Sequence, residues 1–509
     1  MTPSSAPAEN VLALVAHKIA PFQFDISHSA SSASIRDQIV RAQMVVRALL
    51  KSKLIGAGYG INSPSPLLIC GAGVAGLAAA FEATRLGVRF VMIDKNVVAP
   101  GGALAGTGQR FASPTMYEWP ASIVDEHVHP LTHIDFLASG SPKNKFKFGV
   151  GKPELIQNLR SQVDAIVSAS VVRWKIAAAK RDRTSSWLLT STRIDKPSKD
   201  ALRALLSPGI TVSGLPEISF TRHHRAWPGK YKFSCILFAS GFSVESTTLV
   251  NHDVKTPQFW EPDTLLDAAL GTTTKPMALV VGGGDGAIQD AMRALLQYKK
   301  AAHPLAVWEY LMRGPLPTNL AAVVMPVLGG GGGIDEAELY RRILTVENYS
   351  AIAYSWVPNN RIYKDIDVIY ADLAKRLIVR YPNLVQRLAE LLRIDVQGVC
   401  ISTRGGFSRA YALNRFLIHL INEARACLVS SSFPTLEILK YEIEKFAPLG
   451  VAKTEGSVTF ANGTTRYFDL IILRKGAKYP AYQAIGITGV DAARIELGRL
   501  PVPMMAPNE

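Results

Sequence analysis

The stretch LLICGAGVAG (residues 67–76) limits the fold more than any other ten residues. Four uncharged apolar residues suit a strand buried on both faces, and they run directly into Gly71, Gly73 and Gly76 in the spacing G-x-G-x-x-G. A helical pattern follows, and VRFVMID then supplies a second strand ending at Asp94. Strand, glycine turn, helix and strand make a βαβ unit, so the spacing predicts a doubly wound α/β domain. In such a unit Gly71 permits the tight turn, Gly73 lets the backbone approach a diphosphate, and Gly76 lets the helix pack closely on the strand. The amides of Val74 and Ala75 open the helix at the positive end of its dipole. Asp94, with Lys95 beside it, stands where a ribose would be read.

Shortly after Asp94 comes PGGAL (residues 100–104). Its backbone-exposing Gly101, Gly102 and Ala103 resemble the loop that many FAD enzymes run beneath the pyrophosphate and flavin. An NAD-only Rossmann domain has no need of that loop, so FAD is the expected ligand of the first turn.

The motif recurs. KPMALVVGGGDGAIQDAMRALLQ carries an apolar strand, a turn of form G-x-G-x-x-A at Gly282, Gly284 and Ala287, and a helix. LAVWEYLM is the expected second strand of that unit. Between the two turns lies the strand-like YKFSCILFASG, ending at Ser240 and Gly241; near the C-terminus SVTFANGTTRYFDLIILRKG predicts a hairpin turning at Asn462-Gly463 and then an apolar strand. This order resembles the flavoproteins with two dinucleotide-binding domains, which include pyridine-nucleotide-dependent reductases and flavin-containing or N-hydroxylating monooxygenases. ASGF (residues 239–242) resembles their Ala-Thr-Gly turn, and FDLIILRKG lies where a second such turn belongs. The resemblance covers residues 66–297 and those near 455–480. It implies FAD at the first turn and NADH or NADPH at the second, where Glu309 would read an unphosphorylated ribose and Arg313, Lys299 and Lys300 would read a 2′-phosphate. Three departures stand out: RKG (residues 474–476) replaces the usual small residues, no clear Gly-Asp flavin motif follows it, and Asp285 puts a carboxylate inside the second turn.

The chain therefore reads as an α/β flavoprotein: an FAD-binding Rossmann-like domain plus a second Rossmann-like domain, with a helical insertion and a helical N-terminal extension. The expected divisions are a helical extension at 1–62, the first part of the FAD domain at 63–250, the second Rossmann-like domain at 270–330, a mostly helical insert or substrate cap at 334–450, and the returning hairpin and C-terminal part at 451–509. The Gly329–Gly333 run lacks the Lys-Ser/Thr of a P-loop and is read as a hinge.

Composition narrows the chemistry. The four cysteines include no C-x-x-C pair, so they are read as reduced core residues, and a redox disulfide is not available to pass electrons on. The formal charge of +15 is scattered rather than gathered into a block, which argues against nucleic acid. A secretory signal and a membrane span are not expected, so the cytoplasm is the default, and a homodimer is one open assembly state. The substrate is expected to be a small molecule.

Residues 106–135 follow the flavin loop and hold the candidate catalytic groups. Arg110 would bind a substrate carboxylate or stabilise reduced flavin, Tyr117 and Trp119 would stack on a planar ligand, and His127 would serve as a general base. His127, His129 and His133 lack a carboxylate or thiol to complete a metal set, so no metal is expected. The large separation of the two turns fits a monooxygenase or a reductase. An amine or amino-acid oxidase whose second domain no longer binds nicotinamide, and a non-catalytic flavin-bound scaffold, stay open beside it.

Overall fold

A computed structural model describes residues 14, 17–26, 35–58, 65–97, 99–106, 108–112, 154–164, 186–194, 217–222, 225–241, 245–272, 274–313, 360–407, 410 and 412–476. The expected sites Tyr117 and His127, with Trp119, His129, His133 and the Gly329–Gly333 run, lie outside these residues.

The chain enters through two short strands, β1 (Lys18–Ala20) and β2 (Gln23–Asp25), and the helix α1 (Ile35–Lys51). The glycine unit follows as β3 (Leu67–Cys70), α2 (Val74–Arg85) and β4 (Phe90–Ile93). After the small ribbon β5 (Phe111–Ala112) and β6 (Glu154–Leu155) come β7 (Trp187–Leu189), the strands β8 (Thr192–Ile194), β9 (Glu217–Arg222) and β10 (Arg225–Lys232), and β11 (Ile236–Phe238). A ribbon of β12 (Thr248–Leu249) and β13 (His252–Asp253) leads out of this part. One sheet collects these strands in the order β1-β2-β11-β3-β4-β7, with β2, β11, β3, β4 and β7 parallel to one another and β1 antiparallel to β2. Every residue of β3 and β4 is buried, as a parallel sheet covered on both faces requires.

The N-terminal segment differs from its helical expectation. Lys18–Ala20 and Gln23–Asp25 are strands, and β2 pairs with β11 in parallel register, so the sheet continues into this segment. Helix α1 does form. It lies against α2, where Glu82 accepts from Arg47 Nε at 2.6 Å and from Arg85 Nη2 at 2.6 Å. Burial opposes ionisation of Glu82, but hydrogen bonds from the two arginines outweigh it and hold the carboxyl below its ordinary value.

The second part repeats the first. β14 (Met277–Val281) runs through a glycine turn into α3 (Asp285–Leu295), followed by α4 (Pro304–Met312), α5 (Asn360–Arg380) and α6 (Asn383–Leu391). Then come β15 (Gly398–Ser402), α7 (Ala412–Ala426), β16 (Thr435–Leu439), the antiparallel trio β17 (Ile443–Leu449), β18 (Glu455–Phe460) and β19 (Thr465–Phe468), and β20 (Leu470–Leu473). The sheet order β16-β15-β14-β20 matches β7-β4-β3-β11 strand for strand, with a three-stranded antiparallel sheet before the last strand in each case. The hairpin turns at Gly463, φ +81°, as Asn462-Gly463 predicts. Two expectations change. LAVWEYLM is the helix α4, started by Pro304 and capped where His303 Nδ1 accepts from Ala306 N at 3.0 Å, with Val307 and Leu311 buried. The second strand of the unit is instead β15, which lies with β16 inside the region expected to be mostly helical. Helices α5, α6 and α7 contribute Leu377, Leu388 and Phe416 to the core beside that sheet.

Both halves close on one steric device. Gly71 (φ +113°) sits so that a Cβ would fall well inside 3.0 Å of the Ala239 carbonyl oxygen, at the end of β11. Gly282 (φ +148°) meets the Arg474 carbonyl oxygen in the same way, at the end of β20. Arg474 is thus the counterpart of Ala239, and its backbone does what the small residue does in the first half.

The Arg474 side chain does something else. Its Nε donates to Asp290 Oδ2 at 2.7 Å and its Nη1 to the Pro257 carbonyl at 2.7 Å. Asp290 also accepts from Arg110 Nη1, while Arg110 Nη2 reaches Asp263 Oδ2 at 2.8 Å. Arg293 joins Asp263 at 2.7 Å, Glu245 lies 3.3 Å from Arg474, and the Arg110 guanidinium stacks 4.2 Å over the Phe259 ring. Three arginines and three carboxylates from the first half, the connection and the second half therefore meet in one place. Burial opposes charge on Asp290, but Arg110 and Arg474 overcome it and hold its pKa below the ordinary 3.8.

Gly282→Ala is expected to destabilise the fold by about 1–3 kcal/mol, because β20 must retreat. Gly284→Ala, at φ −98° with nothing within 4 Å of its Cβ, should cost under about 1 kcal/mol. Urea unfolding of the two variants checks the contrast. Asp290→Ala should cost about 3 kcal/mol, since it takes a shared carboxylate from two buried guanidinium groups and leaves Arg110 with Asp263 and Arg474 with Glu245. A group whose folded pKa is depressed contributes stability above its unfolded value and loses it as pH falls. Unfolding free energy should therefore fall with acid below about pH 4 in the parent, and Asp290→Asn should flatten that loss.

Candidate functional site

The first turn is built almost wholly from backbone. Gly71 N donates to the Ile93 carbonyl at 2.8 Å, tying the turn to the end of β4. Helix α2 starts at Gly73 with no side-chain cap and no acidic residue in its first turn. The positive end of its dipole, at Val74, Ala75 and Gly76, is therefore left without an anionic side chain of its own. Gly76 can only be glycine: a Cβ there would collide with the Gly71 carbonyl oxygen.

Asp94 is buried beneath this turn. Its Oδ2 accepts from Ala72 N at 2.6 Å and its Oδ1 from Asn96 N at 2.7 Å. The carboxylate is thus fixed by two amides, and each oxygen keeps a further acceptor direction. Lys95 beside it is exposed. The PGGAL loop folds onto the same turn: Gly101 N donates to the Ala72 carbonyl at 2.9 Å, and a Cβ on Gly73 would lie 3.6 Å from the Gly101 oxygen. Gly102 opens a short 3-10 turn through Ala103 to Ala105, anchored by the fully buried Leu104. Ser240 and Gly241 are exposed at the end of β11, with nothing within 4 Å of a Cβ on Gly241. Gly71, Gly73, Val74, Ala75, Gly76, Asp94, Gly101, Gly102, Ala103, Ser240 and Gly241 are gathered at the carboxyl ends of β3, β4 and β11. In an open parallel sheet that is the edge at which ligands bind.

The second turn is more open on one side and more charged on the other. Gly284, Gly405 and Gly476 each have nothing within 4 Å of a Cβ, so three loops at the strand ends expose bare backbone. Gly283 is closed by the Gly406 carbonyl and the Thr403 hydroxyl, and Gly286 by the Phe259 ring. Asp285 occupies the first turn of α3, where Asn414 Nδ2 on α7 donates to its Oδ1 at 2.6 Å. Ala287 is fully buried against Gly282.

Several expected residues lie elsewhere. Arg110 is not a free cation; both its terminal nitrogens are committed to Asp263 and Asp290. Lys299 and Lys300 follow α3, which runs about 16 Å away from its turn, so they stand at the opposite edge of the sheet. Lys300 there donates to the Glu390 carbonyl at 2.8 Å. Glu309 and Arg313 belong to or follow α4 rather than a strand end, and Arg313 stacks 3.4 Å over Tyr310. The strand end that faces the second turn is that of β15, where Gly282 N donates to the Ser402 carbonyl at 2.9 Å and Thr403 and Arg404 follow. Arg404 is exposed and lies 2.9 Å from the exposed Glu442. Its only sequence signal is the short run VQGVCIS, hidden among helical stretches.

The cysteines are free: Cys70, Cys235 and Cys400 are buried and Cys427 is exposed. Burial pushes the Cys235 and Cys400 thiols up to about 12, and Cys70 higher still with Asp25 adding to it. These three would be poor nucleophiles. Among the described residues no cluster of His, Cys, Asp and Glu could hold a metal ion, and no helix is long and apolar enough to cross a membrane.

No family model and no curated protein matches the chain. Among solved structures it is similar to bacillithiol disulfide reductase from Bacillus cereus, at 11% identity and a TM-score of 0.37 over 84% of this chain and 82% of that one. It is likewise similar to thioredoxin reductase from Lactococcus lactis, at 10% identity and 0.33 over 81% and 77%. T. acidophilum thioredoxin reductase gives 11% identity and 0.31 over 81% and 77%. The likeness is loose in every case. The chain's own topology, a parallel sheet opened by a glycine turn and then repeated, is that of an α/β protein with two Rossmann-like halves.

Proposed function

We propose that the chain is an FAD-dependent oxidoreductase that draws electrons from NADH or NADPH and acts on a small molecule as a monooxygenase or a reductase. The observation that carries this reading is the matched pair of glycine turns, each closed by a carbonyl from the last strand of its own sheet. FAD, when bound, supplies the hydride chemistry. The protein's part is to hold and orient. At the first turn the amides of Val74, Ala75 and Gly76 would donate to the diphosphate, and Asp94, held by Ala72 N and Asn96 N, would accept from the ribose hydroxyls. Gly101, Gly102 and Ala103 would pass beneath the diphosphate without a side chain in the way.

The second turn suits the nicotinamide nucleotide. Asn414 draws Asp285 towards α7, and Gly284 leaves the helix start approachable. Arg404, at the end of the second strand, favours a phosphorylated ribose and hence NADPH. Electrons do not leave through the cysteines, three of which are buried thiols. Tyr117 and His127 keep their proposed roles as a stacking surface and a general base.

A specific observation favours the amine or amino-acid oxidase as second reading: a carboxylate, Asp285, already occupies the start of α3. The flavin itself separates the two. Anaerobic addition of NADPH or NADH should bleach the bound flavin, whereas bleaching by an amine alone, with both nucleotides inert, would establish the oxidase. Asp94→Ala should lower FAD retention about tenfold, as the loss of one hydrogen bond to a charged acceptor implies, read as flavin per chain after gel filtration. Retention equal to that of the parent would contradict the assignment of the first turn.

A further inference from the structure

Residues 403–407 leave β15 at the strand end that faces the second turn. Thr403 Oγ1 donates to the Gly406 carbonyl at 2.7 Å and closes this loop on itself. The same carbonyl and the Thr403 hydroxyl fill the place of a Gly283 side chain, so the loop lies directly against the turn. Inside the loop, Gly405 has nothing within 4 Å of a Cβ, and Arg404 is exposed.

A buried carboxylate on a helix distant in sequence fixes this loop. Asp367 on α5 is 4% exposed. Its Oδ2 accepts from Phe407 N at 2.8 Å, and Gly406 (φ +67°) passes so close that a Cβ would strike the same oxygen. Its Oδ1 accepts from Arg415 Nε and Nη2, each at 3.2 Å, with His419 Nε2 3.5 Å away. The buried Phe407 ring packs edge-on to the His419 ring, 5.8 Å between centres. Burial opposes ionisation of Asp367, but His419 and Arg415 outweigh it and hold its pKa below the ordinary 3.8. Arg415 follows Asn414, the residue that holds Asp285, so α7 anchors the turn and the loop together. A buried ion pair costs about as much solvation as it returns; what this one contributes is the path of the loop.

We infer that Asp367 is a positioning residue for the dinucleotide of the second turn: by holding Phe407 N and Gly406 it sets residues 403–407 against Gly283, and thereby sets where Arg404 meets a ribose phosphate. The inference rests on the reading of that turn as the NADPH site. Asp367 itself touches no ligand and acts through the loop. Its helix lies in the segment expected to cap a substrate, so that segment also tunes the choice of nucleotide.

Calorimetric titration of the full chain, with FAD present, against NADPH and NADH tests this. The parent should bind NADPH at least about tenfold more tightly, the difference that one charge-assisted contact to a phosphate gives. Asp367→Asn keeps the volume but has one acceptor oxygen where two are used, so its amide must face either Phe407 N or Arg415. It should weaken NADPH about tenfold and NADH less, bringing the two affinities together. Thr403→Val breaks the closure of the loop at nearly constant volume and should act in the same direction, even where Asp367→Asn does not fold. Asp395→Asn is the control. Asp395 pairs with Arg393 at 2.7 Å ahead of the amino end of β15, so its replacement should lower stability and leave the NADPH-to-NADH ratio unchanged. A parent that binds neither nucleotide overturns the reading of the second turn, and this inference with it. A parent that binds both equally, a preference kept in Asp367→Asn and Thr403→Val, or one lost equally in Asp395→Asn overturns the inference alone.

Discussion

The fold depends on how closely two pieces of backbone can approach. At Gly71 and again at Gly282, a carbonyl from the last strand of the sheet lies where a side chain would otherwise be. That approach forces β11 against β3 and β20 against β14, in parallel register, and so brings the carboxyl ends of the strands together. The glycine turns, the Asp94 carboxylate and the open glycines of the second half all lie at those ends. The positions of the candidate ligand groups follow from this one steric fact, repeated twice.

Arg474 shows how the repeat has been adapted. Its main chain closes the second turn, as that of Ala239 closes the first, while its side chain spans to Asp290 and the connecting segment. Burying this many charges costs solvation, which only mutual pairing offsets. Arg110 and Arg474 meet Asp290, and Arg110 and Arg293 meet Asp263. The cluster thus specifies how the two halves sit together, more than it adds to stability over an apolar contact.

What the sequence made legible was what local chemistry controls. LLICGAGVAG carries strand, turn and helix within ten residues, and Asn462-Gly463 dictates its own hairpin. The misread elements are those fixed by distant partners. Lys18–Ala20 and Gln23–Asp25 are three residues each, too short for a periodic signal, and β2 is a strand because β11 lies beside it. LAVWEYLM is apolar enough for a strand, yet Pro304 and the His303 cap start a helix. β15 was hidden because it lies far along the chain from β14, beyond the described helices α3, α4, α5 and α6. Arg110 looked available on an isolated motif; only the folded chain brings Asp263 and Asp290 to it. Tyr117 and His127 lie outside the described residues.

Native mass spectrometry of the full chain with FAD and NADPH tests the central claim most directly, that each half holds one dinucleotide. The predicted result is a single chain carrying one FAD and one NADPH together, with the FAD adduct lost first when Asp94 is replaced. A chain that carries neither nucleotide would contradict it.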